Sequence, residues 1–172
     1  MNQRSTAEGA AFAPQQHDGV RCIGFSLAPG LPPLALAPGT LAEMLLDYSE
    51  CPLPGAAASL HRIVALRGAL LPVFDACRWL GLPPAAQPRF LAIGRGERAA
   101  ALVIDGEARV FELVDAKSDM PAPAALAPFV RAARDASGQP AWWFDHEAWF
   151  AVAARLPDSR NDSAANAAQV NP

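Results

Sequence analysis

The residues best suited to proton transfer or metal ligation near neutral pH are three histidines, His17, His61 and His146. None belongs to an H-E-x-x-H pair or to a cysteine–histidine zinc spacing. His17 stands in a polar leader, His61 opens an apolar run, and His146 sits between Asp145 and Glu147 at the start of a helical pattern. Surface or capping roles fit all three better than catalysis. The cysteines, Cys22, Cys51 and Cys77, are odd in number and widely spaced, which argues against a disulfide framework. Two of them read as small core hydrophobes inside apolar runs. Asp75 and Asp105 each end an apolar run and are the candidates for a carboxylate pair doing acid–base work. No activating partner is visible for either, and each reads as a cap or turn residue. The chain also lacks G-x-G-x-x-G, a phosphate loop with its lysine, and a G-x-S-x-G elbow. The reading is a non-enzyme with no cofactor and no metal.

The remaining chemistry is recognition. In ALRGALLPVFDACRWLG (65–81) one arginine, Arg67, stands between apolar runs and is followed by Gly68. A guanidinium offers a rigid five-donor fork for carboxylates and carbonyls, and arginine with an apolar surround is a frequent binding hot spot. An ordinary surface arginine on a hairpin is the plainer reading. Trp142, Trp143 and Phe144 are consecutive; in a strand they cannot share one face. Core packing is preferred there over an aromatic docking patch, because apolar residues continue on both sides.

The elements that position these residues are short. The 172 residues include 17 prolines and 12 glycines, 52% are hydrophobic and only 18% charged, enough for one substantial core. Net charge is −3 and no basic stripe alternates with aromatics, which argues against nucleic-acid binding. The start lacks the apolar stretch of a signal peptide and no run reaches membrane-span length, so a cytoplasmic chain without membrane insertion is expected. Residues 1–18 read as a flexible leader, 19–156 as the folded domain and 157–172 as a disordered tail.

Strands are expected at 20–27, with Cys22 and Phe25 on opposite faces, and at 31–37, where early prolines imply an edge. Thr40 and Glu43 fit a capping box, predicting a helical turn in 40–48, although the end of that run also reads as strand. Residues 49–59 read as a proline-marked loop, with a helical turn near 56–60. The runs 61–66 and 69–74 form a hairpin around Arg67-Gly68, and Asp75 caps a helix that Gly81 ends. A further hairpin joins 89–96 to 98–105, a separate strand covers 108–115, and a last hairpin joins 129–135 to 140–146. The closing helix, 147–156, has Trp149, Val152 and Ala153 on one face. Many short strands and few helices argue for an all-β, barrel-like fold.

The passage HRIVALRGALLPVFDACRWLGL resembles the central signature of the CheW-like domain family of bacterial chemosensory adaptors. Leu66-Arg67-Gly68, Pro72-Val73-Phe74-Asp75 and Leu80-Gly81-Leu82 carry the match, and Ile104-Asp105 and the closing ASGQPAWWFDHEAWF extend it. The opening strand and PLPG (52–55) also fit, so the likeness spans about 20–150. The resemblance implies two five-stranded SH3-like barrel subdomains with short helices. It also implies a non-catalytic protein coupling a chemoreceptor's cytoplasmic tip to a chemosensory histidine kinase. Partner-binding residues carried over are Arg67, Gly68, Leu66, Arg62, Asp75 and Glu43, with Glu43 in place of the family's glutamate, and Leu66 and Leu70 are expected to support the turn from the core. The family has glycine where Arg62 stands, asparagine where Ala65 stands, and leucine-arginine where Ala76-Cys77 follow Asp75. Those departures suggest a specialised adaptor, for example in a type IV pilus or twitching pathway. A diverged barrel module that senses a small ligand, or regulates another protein, is the alternative.

Overall fold

A computed structural model of the chain describes residues 19–52, 60–115 and 120–155. Ten strands and two α-helices occur among them. In chain order they are β1 (Val20–Ser26), β2 (Leu34–Leu36), β3 (Ala42–Met44), β4 (Ser49–Pro52), β5 (Leu60–Leu66), β6 (Ala69–Phe74), α1 (Ala76–Leu80), β7 (Pro88–Ile93), β8 (Ala100–Asp115), β9 (Val130–Asp135), β10 (Pro140–Phe144) and α2 (His146–Ala153). The leader, the tail, Lys117 and most of the PLPG loop with the helical turn at 56–60 lie outside the described residues.

The strands form two sets that share β8. In the first, β1 pairs β2, β2 pairs β10, β10 pairs β9, β9 pairs β8, and β8 pairs β1, so the pairing returns to its start. In the second, the order is β4-β5-β6-β8-β7-β3. Strand alternation then sorts the apolar residues. Cys22, Ala35, Leu113, Ala133 and Ala141, one from each strand of the first set, form one buried cluster. Val64, Leu71, Val73, Phe90, Ala92, Ala101 and Val103 form a second, within the other set. The opposite faces meet in a third and largest cluster with Phe25, Leu34, Leu102, Ile104, Trp142, Phe144 and Trp149. Cys22 and Phe25 thus fall in different clusters, as the alternation in β1 requires. Each fully buried large side chain contributes about 1.5–3 kcal/mol, so the shared cluster is the main tie between the sets.

Several expected elements differ, each for a physical reason. β8 is one strand of 16 residues, where two were expected. Gly106, at φ 76°, lets it pass from one set to the other without ending. Residues 42–44 are strand and not helix, because Ala42, Glu43 and Met44 pair with Ile93, Ala92 and Leu91; tertiary pairing overrides the local capping pattern. Residues 49–52 pair with β5 and belong to strand β4, where a loop was expected. β2 is no edge: it is paired on both sides, and its prolines precede it. The Pro33 carbonyl accepts from Trp142 N at 3.0 Å. In α2 the buried residues are Trp149, Phe150 and Ala153, whereas Val152 is exposed. The aromatic triplet divides as strand geometry demands: Trp142 and Phe144 are buried in the shared cluster, and Trp143 packs on the first-set cluster with Arg131 over its ring at 6.0 Å.

Candidate functional site

The site is built on the tip of the β5–β6 hairpin. Leu66 pairs with Ala69, so Arg67 and Gly68 alone make the reversal. Both have positive φ, 49° at Arg67 and 81° at Gly68, the signature of a type I′ turn whose twist suits a two-residue hairpin. Gly68 is required by that backbone angle and not by crowding, since a Cβ there would meet nothing within 4 Å. Arg67 is the only described non-glycine residue at positive φ, in a position where asparagine, aspartate or glycine is the usual choice. Holding an ordinary L-residue there costs about 1–2 kcal/mol.

The turn leaves the guanidinium at the surface. Arg67 Nη2 donates to Glu43 Oε2 at 3.0 Å, with the arginine side chain 78% exposed and the glutamate 41%. Glu43 is positioned by β3 through its pairing with Ala92 of β7. The ion pair therefore spans from the hairpin tip to the far end of the second strand set, β3. Between them lies a groove of about 390 Å³, whose wall includes Leu41, Leu66, Ala69, Leu71 and Arg95. Leu41, in that wall, is itself 43% exposed.

The other expected site residues are placed differently. Leu66 is half-buried and packs against the second-set cluster, supporting the turn. Leu70, expected to support it too, faces solvent; Leu71 and Val73 take the inward positions of β6. Arg62 pairs with Glu50 of β4 and lies over the Phe90 ring at 5.5 Å, closing the end of that cluster. Asp75 is the α1 cap: its Oδ1 accepts from Arg78 N at 3.0 Å, and Gly81 ends the helix at φ 66°. Arg67, Gly68, Leu66 and Glu43 thus come together, whereas Arg62 and Asp75 each have a local structural task. Arg95 and Leu41 were not legible as site residues, because only the fold brings their loops to the hairpin tip.

The acid–base candidates do not converge into a reactive centre. Asp105 Oδ1 accepts from Gln87 N at 2.7 Å. Asp75 and Asp105 both lie near Cys77, whose thiol is pushed up to about 11, first by burial and then by these two carboxylates. Cys77 Sγ donates to the Leu27 carbonyl at 3.1 Å. His146 is half-buried beside Phe150, and burial lowers its pKa against the opposing pull of Glu147 and Asp145. It lines a second groove, of about 870 Å³, with Trp143, Phe129 and Arg131. His61 lies in β5, its side chain outside the described set. Among the described residues no group of three or more histidine, cysteine or acidic side chains could hold a metal ion. Among them, too, no helix is long and apolar enough to cross a membrane.

A family model, the CheW-like domain, matches residues 35–154, well over half of the chain. Among solved structures, the chain is similar to the scaffolding protein TtCheW from Thermoanaerobacter tengcongensis, at 21% sequence identity and a TM-score of 0.57. That likeness covers 80% of this chain and 90% of the other, and it bears on the fold. No curated protein matches.

Proposed function

Since the chain belongs to the CheW-like domain family, whose members are adaptors without catalytic activity of their own, we propose that it couples chemoreceptor cytoplasmic tips to a histidine kinase. The hairpin tip carrying Arg67 is the surface that meets a partner. The observation that carries this reading is Arg67 itself: a strained, positive-φ arginine, largely exposed, beside a groove whose wall includes Leu41, Leu66 and Leu71. Strain retained at an exposed turn marks a position kept for a task other than stability. We also read the two strand sets as the paired barrel subdomains of the family. The closed pairing circuit of β1, β2, β10, β9 and β8 supports this for the first set.

The test is binding of purified protein to the receptor-tip fragments and kinase regulatory domains encoded by the same genome. Wild type, Arg67→Ala and Arg67→Glu are compared. The proposal expects wild type to bind at least one, Arg67→Ala to weaken it, and Arg67→Glu to abolish it. Equal binding by all three rejects the role of Arg67, and no binding by wild type rejects the coupling role. A deletion strain scored for swimming and for type IV pilus twitching assigns the output. The second reading, a ligand-sensing module, draws on the 870 Å³ groove beside Trp143 and His146, which has the size of a small-molecule site. Native mass spectrometry of freshly purified protein tests it: a retained small molecule supports it, and the bare chain mass counts against it.

A further inference from the structure

We infer that the groove beside the hairpin tip receives an acidic side chain of the partner, with Arg95 as a second cationic arm opposite Arg67. This deepens the coupling role proposed above and rests on it. Arg67 and Arg95 line the same groove, and Glu43 is the one acidic residue in its wall. Arg67 directs Nη2 to Glu43, whereas Arg95 is exposed and makes no ion pair among the described residues. The groove therefore carries an excess of one positive charge in a chain whose net charge is −3.

Arg95 is held relative to the pair by backbone. Gly94 N donates to the Leu41 carbonyl at 2.9 Å, tying the turn to the residue before β3. Arg95 itself is extended, at φ −138° and ψ 152°, and a single 3-10 turn follows at Gly96–Arg98. Glu97 and Arg98, in that turn, do not line the groove. Two guanidiniums against an aliphatic wall of Leu41, Leu66 and Leu71 suit one carboxylate on a partner segment with aliphatic neighbours. Two cations, one of them already paired with Glu43, are too few for a phosphate backbone or a lipid surface.

The test measures binding of the receptor-tip and kinase fragments to wild type, Arg95→Gln, Arg95→Glu and Arg67→Glu at low and high salt. Expected are a loss of about fivefold with Arg95→Gln, a larger loss with Arg95→Glu, and a shallower salt dependence in both. Thermal melting of the Arg95 variants should match wild type, because the side chain is exposed. Unchanged binding by both Arg95 variants, with Arg67→Glu inactive, overturns this inference and leaves the coupling role standing. If wild type binds neither fragment, the coupling role fails. The groove is then judged alone, by amide NMR shifts on adding acetyl-Leu-Glu-Leu-amide or its Leu-Gln-Leu analogue. Shifts at residues 41–43 and 94–99 with the glutamate peptide only sustain the groove's chemistry; no shifts, or equal shifts, overturn it.

Discussion

Replacing Arg67 by asparagine should make the protein more stable while removing the guanidinium proposed to meet a partner. The backbone at residue 67 has φ 49°, which asparagine tolerates far better than arginine. Relief of a left-handed arginine is worth up to about 1–2 kcal/mol, of which asparagine recovers a large part. Against this stands the lost ion pair with Glu43. That pair is exposed, 78% on the arginine side and 41% on the glutamate side, so solvent screening leaves it roughly 0.2–1 kcal/mol. The balance is a gain of about 0.5–1 kcal/mol, or a rise in Tm of ~1–4 °C for a domain of this size. Urea and thermal unfolding of wild type, Arg67→Asn, Arg67→Ala and Glu43→Gln, with the double variants, measure it. Arg67→Ala keeps the strain and loses the pair, so it should fall slightly below wild type. A loss of more than about 1 kcal/mol in Arg67→Asn would show the ion pair to be a structural tie, and the argument from strain to recognition would fail.

Three other outcomes are expected. Trp149 is fully buried and its Nε1 has no hydrogen-bond partner among the described residues. Trp149→Phe removes an unsatisfied donor and should cost less than about 1.5 kcal/mol, whereas Trp149→Ala should cost about 3–5 in urea unfolding; equal costs would contradict this. Titration with a thiol reagent at pH 8 should find one fast cysteine, the exposed Cys51, and slow reaction at Cys22 and Cys77, both raised by burial. Fast reaction at Cys77 would show that α1 opens readily. The folded-state pKa of His146 lies below its unfolded value, so the unfolded chain binds the proton more readily. Stability should therefore decline as pH falls through about 6.5 toward the folded pKa, then level off for this group. His146→Gln should flatten that part of the pH–stability curve, and an unchanged slope would refute the assignment.

What the sequence made legible follows from the range of each signal. The β5–β6 hairpin, the Asp75 cap with Gly81, the β7–β8 and β9–β10 hairpins and the burial of Trp142 and Phe144 are local patterns, and all occur as expected. Elements fixed by distant partners were not legible. β3 is strand only because β7 lies beside it, and β8 runs through Asp105-Gly106 only because strands flank both halves. The hairpin tip was visible as Arg67-Gly68, but its αL arginine was not, since an Arg-Gly pair is a poor type I′ signal. Glu43 was visible through family resemblance, yet its pairing with Arg67 depends on β3 being a strand. Leu70 was misplaced because two adjacent leucines in β6 leave the inward position undecided by composition alone.

The central claim is that the Arg67 hairpin tip is a docking surface of a chemosensory adaptor. The most direct measurement is affinity capture from native lysate with tagged wild type and Arg67→Glu in parallel, with partners identified by mass spectrometry. The account predicts a chemosensory histidine kinase or a chemoreceptor recovered with wild type and lost with Arg67→Glu. Recovery of the same kinase or receptor by both proteins, or by neither, would contradict it.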